Sequence, residues 1–332
     1  MKKFISAILT LILMTYIITP LPTKAASSSE YYELSPEDEN WSTLTLEEKR
    51  KTCELSETEL NSLSDQELIE AISEYPFLID VYAFDNFQLA IDHIENTCDA
   101  YRELITRKSG AESFYNALAK RTKESFSLSE KICDEELAIL LLYQPQFTKS
   151  LSSKQLDEIN NNTNTEEYYG TPDYIKSSGI TTPKGSNVSA TQPQCNHSTS
   201  WHDAQDKEIV NTYNVTKISR GTCKYNCHSY AWYSQSTSNT YWINNPAPYM
   251  TDGSYKKVLS GLGTSSINAK SGDRVFWGTN SAPIHSAIIR SSATGAPLAT
   301  RFVYSKWGKL GVFRHTVSNS PYSTANISAW HR

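Results

Sequence analysis

At 332 residues the chain has room for two domains. Its formal charge of −5 conceals an asymmetry: residues 26–179 hold 31 acidic and 13 basic side chains, whereas residues 180–332 hold 5 and 15. No segment after residue 25 is apolar for long enough to cross a membrane, and no pattern points to a nucleotide site, a catalytic metal or nucleic-acid readout.

The first 25 residues read as a signal peptide. Lys2 and Lys3 precede an apolar run from Phe4 to Ile18, and Thr23-Lys24-Ala25-Ala26 offers small residues for cleavage. The expected mature protein is secreted, extracellular or wall-associated, with no transmembrane span once the signal is removed. Residues 26–155 read as an acidic all-helical domain. Thr45-x-x-Glu48, Ser56-x-x-Glu59 and Ser64-x-x-Glu67 have the form of capping boxes, in which hydroxyl and carboxylate each satisfy an orphan N–H at a helix start. Phe84, Phe87, Ile91, Ile94, Cys98, Tyr101 and Ile105 step alternately by three and four, which predicts one amphipathic helix. Helices follow around 112–123 and 130–143, the second stopped by Pro145.

Residues 156–195, rich in Asn, Ser, Thr, Gly and Pro, read as a polar linker. A second domain occupies 196–332, where six of the seven tryptophans lie. It carries a helix at 227–236, strands at 273–278, 286–290 and 301–304, and a fourth strand at 313–317. The expected fold class is therefore α+β. The opposite charges of the halves suit docking of the acidic helical domain on the basic one, or capture of an anionic polymer by the basic one.

Six cysteines stand at 53, 98, 133, 195, 223 and 227. An exported chain can form disulfides, and Cys195 with Cys223 is the expected bridge. Cys53, Cys98 and Cys133 fall on apolar helical faces, where a thiol behaves as a small hydrophobe. Cys223-x-x-x-Cys227, near His197, His202 and His228, lacks the second half of a zinc pattern; no metal or cofactor is expected. Cys227 stands apart. Lys224-Tyr225-Asn226 delivers it to the first turn of a helix, where backbone N–H groups and the dipole lower a thiol's pKa. A cysteine nucleophile needs a base. His285 fits, because it heads the apolar run 286–289 instead of lying inside it. His228 is the weaker base: neighbouring residues on a helix point about 100° apart, so it is expected to line the cleft.

In order and type, Asn226-Cys227, Gly272-Asp273 and His285 resemble the NlpC-type and CHAP-type papain-like cysteine peptidases and amidases, over roughly residues 200–315. This chain departs from them in having His228 after the nucleophile, where those families carry a small residue. The helical region is similar to the N-terminal half of exported proteins of Gram-positive bacteria, a likeness that implies no activity. The resemblance implies a papain-like domain, with the nucleophile helix packed on an antiparallel sheet. It also implies thiolate attack on an amide, with peptidoglycan or another anionic cell-wall polymer as partner. A third catalytic residue is expected on the strand after His285: Ser305 by topology, with His315 as the alternative. Tyr225 and the Cys227 N–H are the oxyanion candidates, and His228 and Trp307 the substrate-contacting ones. Two other functions share the motif: a papain-like acyltransferase or transglutaminase-like enzyme, including a toxin, and a non-catalytic wall-binding protein.

Overall fold

The computed structural model describes residues 29–124, 127–163, 175–193, 195, 197–262, 269–291 and 295–332, so the expected signal peptide lies outside the described residues. Helices α1 (Leu46–Lys51), α2 (Glu57–Ser62) and α3 (Asp65–Ser73) each begin at one of the three expected capping boxes, with both reciprocal bonds formed. The long amphipathic helix is instead two. α4 (Phe87–Thr97) ends and α5 (Asp99–Leu104) begins at Cys98, whose backbone is extended (φ −108°, ψ 104°). The Asp99 carboxylate accepts from the Leu55 N–H at 2.9 Å, which ties the second segment to the α1–α2 connection. Ile91, Ile94, Cys98 and Tyr101 are all buried despite the break: three-and-four spacing specifies a buried face, not an unbroken axis. Helices α6 (Gly110–Glu124), α7 (Leu128–Leu142), α8 (Pro145–Ser150) and α9 (Ser153–Thr163) complete this half.

Part of the expected linker is ordered as a hairpin, β1 (Ile175–Thr181) and β2 (Asn187–Gln192). Its turn closes through Gly185 N–H to Thr182 O and Thr182 N–H to Ser186 O, both 2.9 Å, with Gly185 at φ +88°, a conformation that favours glycine. The Ser/Thr-rich composition hid a strand whose Val188 and Ala190 face inward. Helix α10 (Thr199–Tyr213) follows.

A seven-stranded antiparallel sheet, ordered β3-β8-β7-β6-β5-β9-β4, forms the second half. The four expected strands are β5 (Arg274–Thr279), β6 (Ala282–Ile289), β7 (Phe302–Lys306) and β8 (Val312–Thr316). Strands β3 (Thr216–Ser219), β4 (Lys256–Ser260) and β9 (Ile327–His331) extend them, β9 pairing on both sides. Along β6, Ala287 and Ile289 join one apolar cluster and Ile288 another, as strand alternation requires.

The first cluster runs without a break from Tyr32 in the helical half to Ala329 in the sheet. Tyr82 meets Trp201 edge-on, and Phe77 meets Tyr213 likewise. Buried polar groups follow the same path. Trp41 Nε1 and Lys49 Nζ both donate to the Thr212 carbonyl. The Tyr213 hydroxyl donates to the buried Asp80 carboxylate at 2.6–2.7 Å, and His93 pairs with that carboxylate at 2.9 Å. Among the described residues, no helix is long and apolar enough to cross a membrane.

A shared core predicts one cooperative calorimetric transition for both halves; two resolved transitions would contradict it. Tyr213→Phe takes a hydrogen bond from a buried carboxylate and should cost about 2 kcal/mol in denaturant unfolding.

Candidate active site

Cys227 opens a short helical segment, 227–233, whose last five residues are wound as a π-helix (Ser229–Tyr233). Asn226 is its cap. Asn226 Oδ1 accepts from the N–H groups of Ser229 (3.0 Å) and Ile243 (3.1 Å), and its carbonyl accepts from Tyr230 N–H. The Cys227 thiol is 1 % exposed. Its Sγ donates to Asp85 Oδ2 at 3.2 Å, and Asn226 Nδ2 donates to the same oxygen at 2.6 Å. Asp85 comes from the helical half, just before α4, and no sequence signal marked it. It sits in Phe84-Asp85-Asn86, where only Phe84, the start of the apolar stripe, had a role read from the sequence; Asn86 caps α4.

Three contacts hold the Asp85 segment in place. Lys309 N–H donates to Tyr82 O (3.1 Å), the Tyr322 hydroxyl donates to Ala83 O (2.7 Å), and Phe84 lies edge-on to Tyr322. Gly308, at φ +43°, makes room: a Cβ there would run into the carbonyl groups of Tyr82 and Ala83.

The electrostatics differ from the expected activated thiol. Burial first, and then Asp85, hold the Cys227 thiol well above its ordinary range, against the opposing influence of the Ser286 N–H and Lys306. Whatever a helix start does to lower a thiol's pKa is outweighed here, first by burial and then by the carboxylate that faces the sulfur. Burial likewise pushes the Asp85 carboxyl up to about 7 and the Lys306 ammonium down to about 7. Lys306 is fully buried and donates to Gly308 O at 2.6 Å.

The structure places the candidate base beside this cluster without bonding it to the thiol. His285 lies on β6 opposite Trp277, on the same face as Ala287 and Ile289. Its ring stacks on Tyr322 (centroids 3.7 Å apart) and meets Trp277 edge-on. Neither ring nitrogen has a hydrogen-bond partner among the described residues. Burial, then the nearby His315 and His228, push its pKa far down. Tyr322 links the two sets: burial raises its hydroxyl pKa, and Cys227 and Asp85 raise it further.

His228 comes nearer the sulfur than a 100° rotation along the helix suggests. The ligating atoms of Asp85, Cys227 and His228 lie within 4.8 Å of one another, and His228 Nε2 is 3.9 Å from Asp85 Oδ2. Its Nδ1 pairs with Ser286 Oγ at 2.8 Å, which also accepts from Trp232 Nε1. Burial holds His228 neutral, down at about 3.

Ser305 and His315, the alternatives for a third member, bind each other: Ser305 Oγ lies 2.6 Å from His315 Nε2. His315 Nδ1 lies 2.8 Å from Thr316 O, an acceptor only, so Nδ1 carries the proton and the Ser305 hydroxyl donates to Nε2. Trp307 Nε1 donates to Ser305 Oγ at 2.8 Å. The network is saturated, and no hydrogen bond runs from it to His285. Trp307 is a buried core residue, edge-on to Tyr213, so it presents no face to a substrate. Tyr225 packs against Tyr230, with Lys306 Nζ 5.5 Å from its ring centre, away from any hydrogen bond to the thiol. Cys195 and Cys223 form the expected disulfide, which separates Cys223 from Cys227 chemistry. Cys53 and Cys98 are buried free thiols.

No protein family, curated protein or solved structure matches this chain.

Two outcomes follow. Asp85 is raised from an ordinary carboxyl value to about 7, so the folded chain holds a proton that the unfolded chain releases. Its contribution to stability is present below about pH 4 and lost as pH rises to about 7. Asp85→Asn should flatten that part of the pH–stability curve in urea unfolding; an unchanged slope would contradict the assignment. Gly308→Ala should push the Tyr82–Asp85 segment off the sheet, and Cys227 in the folded variant should then alkylate at least about tenfold faster than wild type, as one pKa unit of relief implies.

Proposed function

We propose that this chain is a secreted cysteine-dependent hydrolase of amide bonds, papain-like in its C-terminal half and held closed in the described state by Asp85. One observation carries the reading. Beside the Cys227 cluster, the buried His285 keeps both ring nitrogens without hydrogen-bond partners among the described residues. A buried polar group left unsatisfied costs about 1–3 kcal/mol, and such groups collect where a reaction needs them.

In this reading the thiol passes its proton to His285 once Asp85 is withdrawn. Sγ then attacks the amide carbonyl carbon, and the carbonyl π pair moves to oxygen. Collapse of the adduct breaks the C–N bond, His285 hands the proton to the leaving amine, and water hydrolyses the thioester. The excess of 15 basic over 5 acidic residues in 180–332 suits an anionic polymer, and the N-terminal signal pattern suits one outside the membrane. Peptidoglycan meets both conditions.

Mass spectrometry of muropeptides tests this directly. Asp85→Ala protein should release new amide-cleavage products and wild type far fewer; on the Asp85→Ala background, Cys227→Ala should release none and His285→Ala should be slower by a factor of about 10²–10⁴. No change with Asp85→Ala protein would overturn the wall-hydrolase reading.

A further inference from the structure

We infer that Asn226 is the oxyanion donor of this site, and that the Asp85 carboxylate closes the site by occupying the oxyanion's place. The inference deepens the hydrolase reading and rests on it.

The Asn226 amide has no freedom left. Its Oδ1 accepts two backbone N–H groups, from Ser229 and Ile243, which fixes which end of the amide is oxygen. One Nδ2 hydrogen goes to Ile243 O at 2.8 Å. The other points at Asp85 Oδ2. The donor is therefore held by three backbone groups on two segments, and its aim does not depend on Asp85. Preorganised donors of this kind stabilise charge developing on a reacting oxygen.

Oδ2 of Asp85 stands 3.2 Å from Sγ and 2.6 Å from Nδ2. A point about 3 Å from both a nucleophile and a fixed donor is where the oxygen of a bound acyl group lies during attack. Asp85 thus presents a partly negative sp² oxygen at the position the tetrahedral adduct would fill. It does so on a tether, and it carries no leaving group. Tyr225 and the Cys227 N–H, expected as donors, make no such bond to Oδ2.

When Sγ adds to a carbonyl carbon, the displaced π pair becomes an alkoxide that accepts the Asn226 N–H. Collapse returns the pair to the carbonyl and expels the leaving group.

The test separates acylation, which develops an oxyanion, from alkylation, which does not. Asp85→Ala should raise the rate of Cys227 alkylation by iodoacetamide at least tenfold, and should allow p-nitrophenyl acetate to acylate Cys227, as read by intact mass. An unchanged alkylation rate would overturn the occupancy. Asn226→Ser on that background keeps a neutral, competent helix cap. Acylation should fall by a factor of about 10²–10³, with iodoacetamide alkylation changed less than threefold. Acylation that holds, or two rates that fall together, would overturn the oxyanion role. A second variant, Asn226→Asp, retains the acceptor for Ser229 and Ile243 and should lose acylation as well. Failure of the hydrolase reading looks different: Asp85→Ala would alkylate readily, yet p-nitrophenyl acetate would leave Cys227 unmodified.

Discussion

The thiol's surroundings depend on one largely buried carboxylate. Asp85 lies between the two halves of the chain, with Oδ2 on Asn226 and Cys227 and Oδ1 without a hydrogen-bond partner among the described residues. A carboxylate taken from water is costly unless its hydrogen bonds and charge are matched, and here the match is partial. What keeps the group in place is the packing around it. The apolar cluster that runs through both halves surrounds the Tyr82–Phe84 segment, and backbone bonds to Lys309 and Tyr322 fix its path. Cooperative packing thus carries a locally unfavourable contact, which is the usual arrangement where strain serves a function.

The same groups define two opposite environments for one sulfur. With Asp85 in place, full burial and a carboxylate oppose the thiolate. Without it, burial still opposes the thiolate, but the charged and hydrogen-bonding groups left at Sγ are the Ser286 N–H and Lys306, both of which lower the thiol's pKa. Removal of that one side chain therefore takes away both contributions of Asp85 that disfavour the thiolate and leaves the two that favour it. Such a device does not require the helical half to contribute to chemistry. It requires only that this half be folded against the sheet, a condition met by Asp80, Tyr213, Trp41 and Thr212 far from the sulfur.

Legibility in the sequence follows the range of the interactions. The three capping boxes, the strands at β5 to β8 and a cysteine at a helix start are set by neighbours within a few residues, and each was readable from spacing alone. Cys98 shows the limit: its apolar period was visible, but the bend was set by a contact between Asp99 and Leu55 that no local pattern announces. Asp85 and Cys227 lie 142 residues apart, and in the sequence Asp85 is one acid among many on an acidic half. Topology put Ser305 on the strand beside that of His285, but it could not show that His315 and Trp307 already use its hydroxyl.

That saturated pair bears on how His285 is oriented. In a hydrogen-bonded triad the third residue fixes the tautomer of the base. Three of the buried histidines divide by their partners. His315 is engaged at both nitrogens and His228 at Nδ1, whereas His285 is engaged at neither. Packing positions it instead, between the stacked face of Tyr322 and the edge of Trp277. A ring held by its faces keeps its plane and leaves both nitrogens open. In the proposed hydrolase it would take the thiol proton on one nitrogen without first breaking an existing bond. The imidazolium so formed would have the new thiolate as its counter-charge in a water-poor site, where opposite charges attract more strongly than in bulk solvent. In that reading proton transfer and charge pairing are one event, and Asp85 opposes both by holding the thiol's hydrogen.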